Sequence, residues 1–199
     1  MSILTAETKK LRKIGIYGGS FDPIHHGHLI LAREARETLD LKKIIFVPAL
    51  VSPFKGRAPA ANADTRLSML HAAIKGEDGF EVDDFELRRL PPSWTIDTVE
   101  HIRKRETDSE LYLLIGEDNV ATLDRWRRFD ELKKMVRFVI LDRTGAETHP
   151  YYQIVRQKID ISATGIRKRV AHGQSIRYLV PQAVEEIIQR EKLYREQSK

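Results

Sequence analysis

Residues 13–28 read KIGIYGGSFDPIHHGH, a short β-branched run followed by glycines and then by a predicted helix. A strand that ends in glycines and leads into a helix is typical of proteins that point backbone N–H groups at a phosphate. The glycines at 15, 18 and 19 do not fit the dinucleotide-binding pattern G-x-G-x-x-G, and no Gly-Lys-Ser/Thr follows to make a P-loop. The stretch therefore predicts the first strand, turn and helix of an α/β protein, with an anion site at the turn.

The rest of the chain repeats this alternation of short β-branched runs and longer amphipathic runs. We predict strands at Lys13–Tyr17, Ile44–Pro48, Glu81–Leu87, Leu111–Ile115, Val136–Leu141 and Ile159–Ile161. We predict helices at His26–Thr38, Thr65–Ile74, Thr95–Lys104, Arg127–Lys134, Gly165–His172 and Pro181–Arg190, with Pro181 at the first helical position. Several strands are apolar at consecutive positions, which is typical of a parallel sheet covered on both faces. The predicted fold is a doubly wound, Rossmann-like parallel sheet with helices on both faces. It forms a single domain of residues 13–199 after a flexible lead-in of residues 1–12.

The composition excludes several classes of protein. The chain of 199 residues has 34 Lys and Arg against 29 Asp and Glu, a net charge of +5, which suits an anionic ligand but is mild for a nucleic-acid binder. It has no cysteine, so disulfides, thiol nucleophiles, iron–sulfur clusters and zinc ribbons are excluded. No run of about 18 apolar residues occurs. We therefore expect a soluble, cytoplasmic protein without a nucleic-acid or membrane partner.

Two histidines strengthen the prediction of an anion site at the first turn. His25 and His28 are three residues apart and so share a face at the start of the predicted helix. Imidazolium groups are poorly placed at the positive end of a helix unless an anion lies there, so we predict that both rings donate to phosphate oxygens. Zinc binding is a competing interpretation, but the H-E-x-x-H spacing is missing. A purely structural capping role is the other alternative. Gly27 lies between the two histidines, where the backbone must approach another group closely.

A second candidate anion site lies near the other end of the chain. Residues 161–169 read ISATGIRKR, in which a short strand ends and Ser162 or Thr164 is followed by three basic residues. We expect one of the hydroxyls to cap a helix. Amides, hydroxyls and a guanidinium can then converge on one polyphosphate, whereas a solvated charge run is the alternative. Residues 52–62, SPFKGRAPAAN, are predicted to form a loop, either a lid that orders on binding or a plain connection.

Both candidate sites resemble known signatures. The stretch GGSFDP with HHGH resembles the H-x-G-H signature of the nucleotidyltransferase superfamily, and ISATGIR resembles its second signature, I-S-S-T-x-I-R. Between them, ELR (86–88) with SWTIDT (93–98), and LIGEDN (114–119) with Trp126 downstream, resemble the bacterial nicotinate-nucleotide adenylyltransferases. The resemblance covers residues 13–194 and includes the closing Leu193-Tyr194. Ala163, Phe54 and Trp94 depart from the usual pattern of the family.

The resemblance implies an enzyme of NAD biosynthesis that transfers the adenylyl group of ATP to nicotinate mononucleotide, releasing pyrophosphate without a covalent enzyme intermediate. Mg²⁺ is expected to arrive with ATP, because no Asp/Glu/His cluster has the spacing of a dedicated metal site. A sister enzyme acting on nicotinamide mononucleotide, on both mononucleotides or on phosphopantetheine is one alternative. A non-catalytic nucleotide- or RNA-binding module is another.

The resemblance also implies roles for individual residues. The ATP-binding candidates are Gly18, Gly19, Ser20, Phe21, His25, His28, Gly116, Asp118, Ser162, Thr164 and Arg167, and among them His28, His25 and Arg167 are the catalytic candidates. The mononucleotide-binding candidates are Ser20, Lys55, Trp94, Thr95, Trp126 and Arg127. The Ser93-Trp94-Thr95 stretch predicts a helix start with Ser93 as its cap, and the resemblance puts the nicotinate ring there.

Overall fold

The computed structural model describes residues 11–51, 58–145 and 149–195, and its strands form one parallel sheet. The strands are β1 Arg12–Gly19, β2 Lys43–Pro48, β3 Phe80–Val82, β4 Ser109–Gly116, β5 Arg137–Asp142 and β6 Gln153–Arg156. Their order across the sheet is β3-β2-β1-β4-β5-β6, with every neighbouring pair parallel. The chain direction across the sheet therefore reverses between β1 and β4. In open α/β sheets a ligand cleft forms outside the carboxyl ends of the strands at that reversal.

The helices are α1 His26–Thr38, α2 Ala63–Ile74, α3 Thr95–Arg105, α4 Phe129–Met135, α5 Ala163–Ala171 and α6 Gln182–Arg190. The first four lie between strands, and α5 and α6 follow the last strand. Two 3-10 helices, Phe85–Arg88 and Glu117–Arg125, precede α3 and α4 respectively. In the part of the chain that the structure describes, no helix has the length and apolar character needed to cross a membrane.

Two apolar layers lie on opposite faces of the sheet, which confirms the predicted fold class. On one face Leu31 of α1 and Val184 of α6 pack with Tyr17 and Leu114 of the sheet, together with residues of α2 and α5. On the other face Val99 of α3 and Leu132 of α4 pack with the remaining strand residues. Both of those helical side chains are fully buried, and each such burial contributes about 1.5–3 kcal/mol. The consecutive apolar residues of the central strands are explained by this double cover.

Two predicted strands are wrong in detail. The strand at Glu81–Leu87 ends at Val82, because the Asp83 carboxylate accepts the Phe85 N–H (2.9 Å) and turns the chain into a 3-10 helix. Ile159–Ile161 is not a strand, because its apolar side chains pack against the first face of the sheet instead. The sixth strand is Gln153–Arg156, an edge strand in which only Val155 is buried, so its sequence carries little apolar signal.

Four predicted helix starts also differ from the structure, and two of them by a short extension: α2 begins at Ala63 rather than Thr65, and α5 at Ala163 rather than Gly165. The helix predicted at Arg127–Lys134 begins at Phe129, because Arg128 has a left-handed backbone (φ 54°), and the 3-10 helix before it was not expected. Pro181 has ψ 144° and is the N-cap of α6 rather than its first helical residue. Strand β1 begins at Arg12, one residue earlier than predicted, and residues 1–10 of the predicted lead-in lie outside the described residues.

Candidate active site

A cavity of about 590 Å³ lies at the carboxyl ends of β1 and β4, where the sheet order reverses. The turn after β1, the turn after β4 and the start of α5 all contribute to its walls. All eleven predicted ATP-binding residues line it, namely Gly18, Gly19, Ser20, Phe21, His25, His28, Gly116, Asp118, Ser162, Thr164 and Arg167. The structure thus brings together residues that the sequence separates by more than a hundred positions.

The turn after β1 is shaped by a buried aromatic side chain. Phe21 is 2% exposed and has a left-handed backbone (φ 45°), and its ring packs edge to face with Tyr17, His28 and Phe46. A Cβ at Gly19 would lie 2.9 Å from the Phe21 ring, so only glycine lets the ring approach the strand this closely. The packing of the Phe21 ring therefore fixes the shape of the turn.

The two histidines at the start of α1 stack on each other, with ring centroids 3.7 Å apart. His25 is the N-cap, and its Nδ1 accepts the backbone N–H of His28 (3.3 Å), so the two rings share a face as predicted and His25 also caps the helix. Burial first, and then the nearby positive charge of Arg143, lower the pKa of His25 to about 3. His25 is therefore neutral at pH 7. Because its Nδ1 is an acceptor, its proton is on Nε2, and that nitrogen is a donor.

Gly27 connects the two predicted anion sites. A Cβ on Gly27 would lie 3.0 Å from His25 Nδ1 and 3.3 Å from the carbonyl oxygen of Ile161. The close approach predicted for this position is therefore to the His25 ring and to the segment that leads into α5. A larger residue would push the starts of α1 and α5 apart.

The start of α5 forms the opposite wall of the cavity. Ser162 caps the helix by accepting the Gly165 N–H (3.1 Å), as predicted. Arg167 donates to Thr164 Oγ1 (3.2 Å) and to the main-chain oxygen of Asp22 (2.6 Å), so its guanidinium is held between α5 and the turn after β1. The basic residues that follow, Lys168 and Arg169, are exposed and do not line the cavity.

The turn after β4 presents a carboxylate and an amide to the cavity. Asp118 is exposed, and its Oδ1 accepts from Asn119 Nδ2 (3.0 Å), which also lies 3.3 Å from the Gly116 oxygen. The neighbouring Glu117 hydrogen bonds to the buried Asp142, and burial together with this contact raises the pKa of Glu117. Burial alone would raise the pKa of Asp142, but hydrogen bonds from Glu117 and from the N–H groups of the following turn lower it to about 2. This carboxyl–carboxylate contact joins the ends of β4 and β5.

The predicted mononucleotide residues are not all brought to this cavity. Ser20 lines it, whereas Trp94, Thr95, Trp126 and Arg127 do not. Trp94 and Trp126 are half-buried and pack against the second face of the sheet, and the Arg127 guanidinium lies 5.5 Å from the centre of the Trp94 ring. These side chains form a separate group at the start of α3. Lys55 and Phe54 lie outside the described residues.

The predicted cap of α3 is wrong. Trp94 is the N-cap of this helix, and no side chain caps it. The Ser93 hydroxyl is already engaged, because it accepts the N–H of Leu50 (3.1 Å) and hydrogen bonds to the buried Glu86. Ser93 therefore connects the start of α3 to the segment after β2, and its hydroxyl does not cap the helix.

Sequence reasoning missed several residues of the cavity wall, among them Tyr17, Asp22, Asn119 and Arg143. Burial raises the pKa of the Tyr17 hydroxyl, so this group is a neutral donor at pH 7. Arg143 follows β5 directly and adds positive charge near His25 and Glu117. Its position just after a buried parallel strand is a signal that was available in the sequence.

The described residues contain no group of three or more His, Asp or Glu side chains arranged to hold a metal ion. The acidic groups near the cavity are Asp22, which accepts from backbone amides, Glu117 and Asp142, which contact each other, and Asp118. A divalent cation at this site would therefore take most of its ligands from a bound polyphosphate and from water.

Comparisons with known proteins agree with this geometry. A sequence profile described as Cytidylyltransferase-like matches residues 16–169. A curated protein of Methylacidiphilum infernorum, named a probable nicotinate-nucleotide adenylyltransferase, is 42% identical over 92% of this chain and 92% of its own length. A protein with the same name from Rhodopirellula baltica is 38% identical over 92% of this chain and 93% of its own length. The solved structure of Plasmodium falciparum nicotinic acid mononucleotide adenylyltransferase complexed with NaAD has a TM-score of 0.76 over 92% of this chain and 97% of its own, at 19% identity, which shows a shared fold.

Proposed function

The chain belongs to the cytidylyltransferase-like family and, within it, to the nicotinate-nucleotide adenylyltransferases, and we propose that it transfers the adenylyl group of ATP to nicotinate mononucleotide. The observation that carries the proposal is that the starts of α1 and α5, one with His28 and the other with Arg167, face the same cavity. Two converging anion sites suit a reaction that must hold two phosphate groups against each other.

The reaction is an in-line displacement at phosphorus. An oxygen of the mononucleotide phosphate forms a bond to the α-phosphorus of ATP, the bond from that phosphorus to the β-bridging oxygen breaks, and pyrophosphate leaves with the electron pair. The attacking phosphate is already ionised at neutral pH, so no strong general base is needed. The protein must align the two anions and offset their repulsion with positive charge and hydrogen-bond donors.

We assign the ATP phosphates to the two helix starts. His28 donates to the α-phosphate, and the neutral His25 offers Nε2–H beside it. Arg167, with the hydroxyls of Ser162 and Thr164, holds the β- and γ-phosphates that leave together. Asp118 accepts from the ribose hydroxyls at the end of β4, where Gly116 keeps the backbone close. Arg143 adds charge on the same side of the cavity as His25.

The mononucleotide is assigned to the region that begins at Ser20 and extends toward the start of α3. The 3-10 helix Glu117–Arg125 starts beside the cavity, and Trp126 follows it directly. The Trp126 ring is proposed to stack on the pyridine. Trp94, Thr95 and Arg127 complete this region, and the amides at the start of α3, which has no side-chain cap, are proposed to bind the nicotinate carboxylate. Lys55 is proposed as a phosphate clamp.

The divalent cation is proposed to be Mg²⁺ bound to the ATP phosphates. When present it neutralises charge on the bridging and leaving oxygens. No described side chain is assigned to it as a ligand, and phosphate oxygens and water would hold it.

The test is an assay of pyrophosphate release from ATP with nicotinate mononucleotide, nicotinamide mononucleotide and phosphopantetheine offered separately. The expected result is rapid release with nicotinate mononucleotide, with deamido-NAD as the second product. Faster release with either of the other acceptors would move the chain to a sister activity. ATP binding without release from any acceptor would instead support a non-catalytic nucleotide-binding protein.

A further inference from the structure

We propose that Tyr194, in the last turn that the structure describes, is a positioning residue for Arg167. The inference rests on the proposed function, in which Arg167 holds the leaving pyrophosphate. The Tyr194 hydroxyl donates to Asp22 Oδ1 (2.7 Å) across 172 residues of sequence, although Tyr194 itself does not line the cavity.

Asp22 is the residue through which Tyr194 acts. Its carboxylate is 5% exposed and accepts the N–H groups of Ala60 (2.7 Å) and Ala61 (3.1 Å) in addition to the tyrosine hydroxyl. Arg167 Nη1 bonds to the main-chain oxygen of Asp22 (2.6 Å) and stays 3.8 Å from its Oδ2. The guanidinium therefore contacts the Asp22 backbone closely and makes a longer ion pair with its carboxylate, which could shorten.

A buried carboxylate that loses a hydrogen-bond donor is left unsatisfied at a cost in free energy, so a nearby donor that can move is expected to replace the lost one. Among the residues that the structure describes, Arg66 and Arg167 are cations near Asp22. Arg66 is fully buried and already donates to the carbonyl oxygens of Ser20 (2.8 Å) and Ala49 (2.7 Å). Arg167 is the less constrained of the two. Without the tyrosine hydroxyl it would turn toward the carboxylate and away from the cavity.

The backbone of the C-terminal turn supports a dedicated contact. Lys192 and Tyr194 both have left-handed backbones (φ 52° and 59°), which residues other than glycine rarely adopt. Such conformations persist where surrounding contacts over-determine them. Glu191 anchors the turn by accepting from Thr65 Oγ1 (2.7 Å) of α2, and the tyrosine hydroxyl then reaches Asp22. Burial and the Asp22 charge raise the pKa of Tyr194, so the hydroxyl remains a donor.

The test compares Tyr194→Phe with Tyr178→Phe, a matched control at a tyrosine that is 77% exposed. We expect Tyr194→Phe to lower kcat/KM for ATP by about tenfold to a hundredfold, since small misplacements of a phosphate-holding group have effects of this size. The KM for nicotinate mononucleotide is expected to stay within about twofold, and the Tyr178→Phe enzyme to match the wild type. Tyr194→Met, which also removes the hydroxyl, should give the same pattern if Tyr194→Phe folds poorly.

Calorimetry with inorganic pyrophosphate separates this inference from the proposed function, because it needs no turnover. Pyrophosphate affinity should fall in Tyr194→Phe, and the same change added to Arg167→Ala should weaken it no further. A wild type inactive with every acceptor would reject the proposed function, while the calorimetry would still test the contact. Unchanged pyrophosphate affinity in folded Tyr194→Phe, a parallel rise of both KM values, or a further loss in the Arg167→Ala background would overturn the inference.

Discussion

At the scale of single residues, the two stacked histidines at the start of α1 have different roles. His25 is buried, caps the helix and accepts the His28 N–H, so one of its nitrogens is committed to the fold. His28 is half-buried, lines the cavity and lies at the positive end of the helix. The residue that meets the reacting phosphate is therefore expected to be His28, with His25 holding the turn beneath it.

We predict that His28→Ala removes most of the activity without unfolding the protein. A donor that meets charge developing in the transition state commonly contributes about 2.7–4 kcal/mol, so kcat should fall by about 10²–10³. His26→Ala is the matched control, because His26 is the first residue of the same helix and does not line the cavity. Steady-state rates with both substrates saturating, alongside circular dichroism, make the measurement. A folded His28→Ala enzyme with near-normal kcat would remove His28 from the chemistry.

We predict that burial of His25 makes the protein less stable in mild acid. Its pKa is about 3 in the folded protein against 6.5 for a free imidazole, so between these values only the unfolded chain binds the proton. The contribution of the neutral His25 ring to the free energy of unfolding is fully present above pH 6.5. It is lost as pH falls toward 3, at roughly 1.4 kcal/mol per pH unit.

Denaturant unfolding at several pH values in this window measures the slope. His25→Asn keeps a good N-cap but cannot titrate there, so its free energy of unfolding should depend less on pH. The exposed His172→Asn serves as the control. The same slope in His25→Asn and in the wild type would show that His25 is not the group responsible.

At the scale of elements, we expect the start of α3 to decide how the pyridine ring is recognised. The helix has no side-chain cap, because Ser93 is held by Leu50 and Glu86, and Trp94 lies at its N-cap with Arg127 over the ring. Amides at an uncapped helix start favour an anionic ligand. A nicotinate carboxylate accepts through both oxygens, whereas a carboxamide would point an NH₂ group at N–H donors.

We predict a preference for nicotinate over nicotinamide mononucleotide of about two to four powers of ten in kcat/KM, since a mismatched polar contact in a binding site discriminates strongly. Steady-state kinetics with the two mononucleotides measures it. Trp126→Leu is the comparison variant, because loss of ring stacking should weaken both substrates alike and leave the ratio unchanged. Similar kcat/KM values for the two mononucleotides in the wild type would reject carboxylate recognition and indicate dual specificity.

At the scale of the whole molecule, the order of the strands creates the site. Strands β1 and β4 are neighbours that feed helices on opposite faces of the sheet, so a cleft opens at their carboxyl ends. From the far end of the chain, α5 contributes Arg167 to the wall of this cleft, and the turn after α6 bonds through Tyr194 to Asp22, another wall residue. The cavity thus depends on the docking of the last two helices as much as on the first turn.

We predict that excess chelator abolishes activity while leaving the fold intact, and that added Mg²⁺ restores the activity. The described residues hold no cluster suited to a resident ion, so the cation should arrive with ATP and have little effect on folding. Activity assays and thermal unfolding, each with and without chelator, measure the two effects. A tightly bound stoichiometric metal in the purified protein, or a large drop in Tm on chelation, would contradict this prediction.

The sequence by itself determined the α/β class, the central strands, the spacing that puts His25 and His28 on one face, and a hydroxyl cap from Ser162 or Thr164 at the start of α5. Each of these depends on neighbours within a few positions, which periodicity and capping patterns report. Only the tertiary structure decided that Ile159–Ile161 packs as a loop and that Ser93 bonds to Leu50 and Glu86 instead of capping α3. It also decided that Asp22 and Arg143 join Arg167 and His25 around one cavity, with Tyr194 bonded to Asp22. Those contacts join residues far apart in the chain. They depend on how helices dock on the sheet, which local sequence patterns do not encode.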